Sequence, residues 1–316
     1  MSENQKFVAV IVTYNRKKLL VETIAAILEQ SLPPYKLVVI DNHSADGTKE
    51  LLKELNYLED KRIDYIRLPE NTGGAGGFFE GTRHAIEKYE FDWLFLTDDD
   101  ALPSKNYFSE IYKKSLKNPK IFAYSGTVYY ENGTPQYDQR KIVTNKVTLL
   151  SRGLTDEEIK KDTLIDIAAF NGLVVNKKIV EKIGYPKKEY FIWFDDVEYS
   201  LRMNKYTKID NLASINVLHK TEMIIEDGSS LVLPSWKYYY GARNRTVTQL
   251  LYSKSKWLYI GSLFVKNVIF TIRYLFQSKY KGNRKHFLIM LYRGTADALK
   301  QRLGKNVNYL PGKRFT

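Results

Sequence analysis

The sequence predicts an α/β fold: a mostly parallel, Rossmann-like sheet flanked by helices, followed by a helical, basic C-terminal extension. Three observations predict it. Over the first hundred residues, short β-branched runs alternate with segments of helical apolar spacing. Those runs stop on polar residues, as expected where the carboxyl ends of parallel strands line a ligand-binding rim. From Leu251 to Thr316, 14 Lys and Arg stand against the single Asp297, so the whole net charge of +13 sits in one tail.

The first strand is KFVAVIVTY, residues 6–14, rich in β-branched residues and buried. Residues 16–30 repeat apolar side chains at helical spacing until Pro33 and Pro34 end the run. KLVVIDN (36–42) is the second strand, 46–55 the second helix, opened by Asp46 and Gly47, and IDYIRLP (63–69) the third strand. NTGGAGG reads as a loop, 78–89 as a helix and 93–97 as the fourth strand. Beyond Pro103 come a helix and a strand over 121–130, then a polar stretch, 131–162, of no definite period. IAAFNGLVVN (167–176) reads as a strand and 177–183 as a short helix closed by Gly184. FDDVEYSLRMNK reads as a helix with aspartates at its positive end, and INVLHK places His219 at the end of a further strand.

Composition narrows the chemistry. With 44% hydrophobic and 27% charged residues, the 316-residue chain can bury a core and is not of disordered composition. The absence of cysteine excludes a disulfide, a thiolate nucleophile and a cysteine zinc site, so a metal would rest on oxygen or imidazole. The N-terminus shows no apolar stretch behind a positive one, so a cytoplasmic chain is expected. The segment 257–276 has membrane-spanning length but carries Lys266 and Arg273, each costing about 2.5–3.5 kcal/mol at a bilayer centre. It fits better as a helix lying on an anionic membrane surface or packed on the body. Apolar residues interleave with the basic ones and no nucleic-acid motif occurs, so no nucleic-acid partner is expected. A merely solvated basic face is the other reading of that tail.

Four patterns bear on chemistry. In WLFLTDDDALPS three carboxylates end a buried strand, where their repulsion needs a cation. At a strand end Asp98 and Asp100 point the same way while Asp99 faces elsewhere, a pair suited to Mg²⁺ or Mn²⁺; a capped, solvated loop is the alternative. NTGGAGGF matches neither a dinucleotide fingerprint nor a Walker loop, and reads either as flexible backbone beside a bulky donor or as a plain turn. In YFIWFDDVEYSLR, aromatic bulk precedes Asp195, Asp196 and Glu198; partial desolvation suits a carboxylate there to act as a general base, against a bland reading as helix caps. His219 is a third metal ligand or a structural histidine, and Arg243 in YYYGARNRT a diphosphate holder or surface charge.

Taken in order, VIVTYNR, VVIDNHSADGT, NTGGAGGF, LTDDD, FNGLVV, FIWFDDVEYSLR, VLHK and YYYGARN resemble glycosyltransferase family 2, over roughly residues 7–246. The combination of NTGGAGGF with DDD is most similar to its bacterial galactofuranosyltransferase and rhamnosyltransferase branch. The resemblance implies an inverting GT-A glycosyltransferase with a catalytic domain over 1–235 and a helical, basic region over 236–316. Within the first, about 1–105 would bind nucleotide and 106–235 acceptor. It implies that Thr13, Asn15 and Asp41 bind the nucleotide, that Asp98, Asp100 and His219 hold Mn²⁺ or Mg²⁺, and that Asp196 is the base, with Asp195 and Glu198 shaping the acceptor site. Arg16, Asn71, Gly74, Asp99 and Arg243 are the further candidates for donor binding. Phe194 stands where galactofuranosyl members would carry Trp, so the donor is open between UDP-galactofuranose, dTDP-rhamnose and a hexopyranose. The expected acceptor is a glycan, lipid-linked at the inner face of the plasma membrane, where the chain would be peripheral; a homo-oligomer is compatible. A non-catalytic scaffold of glycan assembly and a nucleic-acid-binding module are the rival classes.

Overall fold

The computed structural model describes residues 5–221 and 235–312; residues 1–4 of the N-terminal stretch, and Lys313 and Arg314 of the basic tail, lie outside them. The chain divides into two compact units, the first formed by 1–142, 152–188 and 196–222, the second by 143–151, 189–195 and 223–316.

The first unit opens with strands and helices in alternation: β1 (Phe7–Thr13), α1 (Lys17–Leu28), β2 (Lys36–Asp41), α2 (Thr48–Glu54), β3 (Ile63–Arg67), α3 (Gly73–Lys88) and β4 (Trp93–Asp98). Then come β5 (Ala101–Pro103), α4 (Tyr107–Lys117), β6 (Ala123–Tyr129) and a hairpin of β7 (Arg140–Asn145) and β8 (Leu150–Gly153), of which residues 143–151 are counted in the second unit. The remainder is α5 (Asp156–Ile159), β9 (Thr163–Ile165), β10 (Ile167–Ala168), β11 (Leu173–Asn176), α6 (Lys177–Ile183), α7 (Asp195–Met203) and β12 (Ile209–His219). The main sheet runs β3-β2-β1-β4-β11-β6-β12-β5, with β9 also on β12.

Strands β3, β2, β1 and β4 are parallel, as is β6 with β12, whereas β11 is antiparallel to both its neighbours and β5 and β9 are antiparallel to β12. The sheet is covered on both faces, which explains the unbroken apolar runs. Val8, Val10 and Val12 of β1 pack with Phe78 and Ala85 of α3 on one side. Phe7, Ala9 and Ile11 pack with Leu20, Ile24 and Ile27 of α1 and Phe108 of α4 on the other.

Three expectations change. The glycines of the expected loop NTGGAGG form the first turn of α3, which starts at Gly73 rather than at residue 78, with Thr72 as its N-cap. Its glycines serve close packing: a Cβ on Gly77 would lie 2.4 Å from Val12 Cγ1, and one on Gly81 2.4 Å from Val10 Cγ1, so α3 presses its backbone onto β1. The expected strand 167–176 is broken into β10 and β11, with Gly172 at φ +88° between them. The polar stretch 131–162 supplies the hairpin and α5, the latter opened by a capping box between Thr155 and Glu158.

The second unit contains α8 (Lys237–Tyr252), α9 (Lys256–Phe276) and α10 (Arg284–Leu299). Its core gathers Phe191, Tyr239, Tyr240, Tyr280, Phe287 and Met290, so tyrosine serves as interior bulk here.

Candidate active site

Parallel pairing sets Thr13 beside Asp41 and Val12 beside Asp98, so the polar residues after β1, β2 and β4 meet on one rim. Thr13 Oγ1 donates to Asp99 Oδ2 at 2.6 Å. Arg16 pairs with Asp99 at 3.3 Å and, closer still, with Asp100 Oδ2. Strand β4 ends at Asp98, so alternation stops there. Asp99 and Asp100 share Arg16, instead of Asp99 turning away from an Asp98–Asp100 pair as the sequence suggested.

The antiparallel pairing of β5 with β12 puts His219 opposite Ala101, and Lys220 N donates to Asp100 O at 2.7 Å. His219 Nε2 is thereby 3.3 Å from Asp100 Oδ1. Burial, then repulsion from Asp100 and Asp99, pushes the Asp98 carboxyl up to about 7. Burial likewise lifts Asp99 to about 6, although Arg16 and Thr13 oppose it. At Asp100 burial also pushes upward, but the neighbouring His219 and Arg16 outweigh it and hold the carboxyl low.

The other donor-side candidates are held mainly by one another. Asn15, at φ +54°, accepts Ala45 N on its Oδ1 at 2.7 Å, and its own N–H donates to Ser44 Oγ at 3.0 Å. Asp41 is buried, accepts Ser44 N at 2.7 Å and the Tyr65 hydroxyl, and has Arg67 Nε at 3.8 Å. Asn71 Oδ1 accepts Gly73 N at 2.8 Å and Asn42 Nδ2 at 3.2 Å, pinning the start of α3. At Gly74 an added Cβ would meet nothing within 4 Å, so the first turn of α3 has open space beside it.

The second carboxylate cluster is built differently. Asp196 Oδ1 accepts its neighbour's amide, Val197 N, at 2.7 Å. Burial raises its carboxyl above the ordinary range, against that bond and the charges of Lys141 and Arg140. Glu198 is fully buried and bound to Arg202 at 2.8 Å and Lys187 at 3.6 Å; Arg202 also donates to Ile183 O at 2.6 Å. That ties α7 to the end of α6, so Glu198 anchors this helix. Arg140, hidden in the polar stretch, is a buried hub donating to Gly126 O at 2.9 Å and to Asn171 O at 2.5 Å.

In the second unit, Phe191, Trp193 and Phe194 all adopt left-handed backbone, at φ +64°, +63° and +70°, a conformation costing about 1–2 kcal/mol per residue. Asn244 Nδ2 holds this loop, lying 2.8, 2.9 and 2.8 Å from the carbonyls of Tyr190, Ile192 and Trp193. Arg243 donates to Tyr190 O at 3.0 Å, Glu189 O at 3.2 Å and Gly304 O at 2.6 Å. It is neither surface charge nor open to a diphosphate: the guanidinium is buried among carbonyls and the rings of Tyr239 and Tyr240. Asp195, next in the chain, is buried.

Among the described residues no three histidine or acidic side chains converge into a ready ligand set. Two observations nonetheless fit a divalent cation at the rim. Asp100 Oδ1 is buried without a hydrogen-bond partner and faces the imidazole of His219. Of the three adjacent carboxylates, Asp99 and Asp100 pair with the Arg16 guanidinium and Asp98 does not, and a carboxylate and imidazole set suits Mn²⁺ or Mg²⁺.

Comparison with known proteins agrees with this frame. Residues 8–184 match the family described as Glycosyl transferase family 2. The galactofuranosyltransferase GlfT1 of Mycolicibacterium smegmatis is 28% identical over 210 residues, 64% of this chain and 67% of that one. The putative teichuronic acid biosynthesis glycosyltransferase TuaG of Bacillus subtilis is 25% identical over 154 residues, 48% of this chain and 56% of its own. The dTDP-rhamnosyl transferase RfbF of Shigella flexneri is 26% identical over 204 residues, 64% of each chain. The chain thus spans about two thirds or less of the length of these relatives. Among solved structures, GalNAc-T7 with UDP, GalNAc and Mn²⁺ superposes with a TM-score of 0.56 at 16% identity, over 95% of this chain and 58% of that one. Residues 1–349 of S. aureus TarS superpose at 0.52, also at 16% identity, over 94% and 82%. A family match over more than half of its length, on a sheet whose polar rim carries the expected aspartates, makes this chain a glycosyltransferase of family 2 with the GT-A fold.

Proposed function

We propose that the chain transfers a sugar from a nucleotide-sugar donor, UDP-galactofuranose before dTDP-rhamnose, to a glycan acceptor of the cell surface, with inversion at the anomeric carbon. The observation that carries this is the rim itself, where Thr13, Arg16, Asp99, Asp100 and His219 are joined by hydrogen bonds and ion pairs beside the open first turn of α3. Arg16 is half exposed and oriented by two carboxylates, ready for a donor phosphate. The open N-terminal turn of α3 offers a second place for phosphate oxygens. Galactofuranose ranks first because of the likeness to GlfT1.

Asp196 is the base. Its raised carboxyl favours taking the proton of the acceptor hydroxyl, whose oxygen then bonds to the anomeric carbon as the bond to the diphosphate oxygen breaks and that oxygen keeps the electron pair. A divalent cation held by Asp100 and His219, with Asp98 nearby, would supply neutralising charge for the departing diphosphate.

The helix α9 supports a peripheral place on an anionic membrane. It is long and apolar enough to cross one. Yet Lys266 and Arg273 lie along it, and its outer face, with Trp257 84%, Phe264 73% and Phe276 77% exposed, suits lying in the interface plane. Binding to vesicles of neutral and of anionic lipid tests this, with Phe264→Ser and Phe276→Ser expected to weaken binding to the anionic ones.

The reaction is tested by incubating the purified chain with UDP-galactofuranose, UDP-galactopyranose, UDP-glucose and dTDP-rhamnose, with and without Mn²⁺. Turnover of one donor supports the reading and names the sugar. Absence of binding to every donor removes it.

A further inference from the structure

Gln136 lies in the stretch 131–162 that carried no recognisable pattern, and it is buried. Its backbone is fixed: Gln136 N donates to Val128 O at 2.8 Å, and a β-bridge joins Tyr129 to Pro135 just before it. The side-chain amide faces His219, with Oε1 3.0 Å from Nδ1. Gln139 Nε2 also approaches that Oε1, at 3.3 Å, so two nitrogen atoms converge on one oxygen. An amide carbonyl only accepts, so with the Gln136 amide turned this way His219 donates through Nδ1. The other ring nitrogen, Nε2, then points at Asp100 Oδ1, 3.3 Å away, the buried oxygen with no hydrogen-bond partner.

In a neutral imidazole protonated at Nδ1, Nε2 presents a lone pair. A lone pair and a carboxylate oxygen at 3.3 Å repel unless a proton or a cation lies between them. The arrangement therefore has a direction. Gln136 fixes which nitrogen is bare, and β12 aims that nitrogen at Asp100.

We infer that Gln136 is a positioning residue for a divalent cation: by accepting Nδ1–H it holds His219 in the one tautomer and ring orientation in which Nε2 and Asp100 Oδ1 can ligate together. This rests on the reading of the rim as a cation site. It goes beyond that reading by giving a role to a residue outside the aspartate and histidine set. Partners of this kind typically change metal affinity 10–100-fold on removal.

The test compares wild type, Gln136→Met, Gln136→Glu and Asp100→Ala in the intact chain. Mn²⁺ affinity is read by titration calorimetry, and the His219 tautomer by ¹⁵N NMR, which is tractable because the chain has 4 histidines. Methionine keeps the bulk and loses the acceptor; glutamate keeps the acceptor. Expected are a roughly 10–100-fold loss of Mn²⁺ affinity in Gln136→Met, affinity within about threefold of wild type in Gln136→Glu, and loss of the Nδ1–H signature only in the former. Wild-type affinity in a folded Gln136→Met protein overturns the inference, as does an unchanged tautomer. Should wild type bind no Mn²⁺, or bind it no better than Asp100→Ala, the cation site itself falls and this inference with it. Intact binding lost in Asp100→Ala but kept in Gln136→Met removes only the role of Gln136.

Discussion

Asp98, Asp99 and Asp100 close a strand, whereas Asp195 and Asp196 open a helix, and the two groups read almost alike as strings: aromatic and apolar bulk, then carboxylates. The fold handles their charge in opposite ways. The first group stands on hydrogen-bonded strand ends and is bound by Thr13 of β1 and Arg16 at the start of α1, with one carboxylate oxygen left over that faces His219 of β12. In the second, Asp196 has a local amide bond and is shifted by burial. The lesson is that desolvation prepares a carboxylate to take a proton, while converging cationic groups and an unpartnered oxygen prepare one to hold charge. In the proposed reaction the same residue type would reach two tasks through its surroundings.

The largest expected effect separates the two tasks. Asp196→Asn should cut kcat by about 10²–10⁴-fold while leaving donor affinity near that of wild type, measured by steady-state kinetics and donor titration. The pH profile sharpens the same point. Because burial raises the Asp196 carboxyl, its ionised form is lost as pH falls through that raised value, so kcat should drop on the acid side at a pH above the ordinary carboxylate range near about 4. A profile flat down to that range would break the contrast.

Next, Arg16→Met should remove a cation from the first group only. Thermal unfolding should show a loss of about 1.5–3 kcal/mol, and Mn²⁺ should restore more stability to this variant than to wild type. If Mn²⁺ stabilises neither protein, charge compensation at the rim is wrongly drawn.

The two groups also differ in what precedes them in the chain. Asn244→Ala would leave the carbonyls of Tyr190, Ile192 and Trp193 without that donor, costing about 1–3 kcal/mol in a chemical denaturation curve. Gly77→Ala would force Val12 aside under α3, at about 1–3 kcal/mol, the smallest of the set if β1 yields. Neither substitution touches a carboxylate. An Asn244→Ala protein as stable as wild type would mean that the left-handed loop needs no clamp.

What the sequence disclosed follows the range of the interactions. Strands β1 to β4 and the polar residues after them were legible because apolar runs and strand ends are local signals. So was α9, whose length and composition need no partner to read. The glycine segment misled because Gly77 and Gly81 are explained by Val12 and Val10, more than sixty residues earlier in the chain. Arg243 was readable as a charge but not as buried, since its acceptors at Glu189, Tyr190 and Gly304 are distant in sequence. Glu198 looked like part of an acidic site until Arg202 and Lys187 were seen on it. Gln136 gave no sign at all, because nothing in its neighbourhood of the sequence marks it as the partner of His219.

The division of labour between the two carboxylate groups is open to a crossed measurement of donor binding and transfer. Wild type, Asp100→Ala and Asp196→Asn are each titrated with UDP-galactofuranose in the presence of Mn²⁺ and then given acceptor. Asp196→Asn should bind donor as wild type does and transfer almost none, whereas Asp100→Ala should lose donor binding and transfer together. Transfer at the wild-type rate by Asp196→Asn, or donor binding as tight as wild type by Asp100→Ala, would contradict that division.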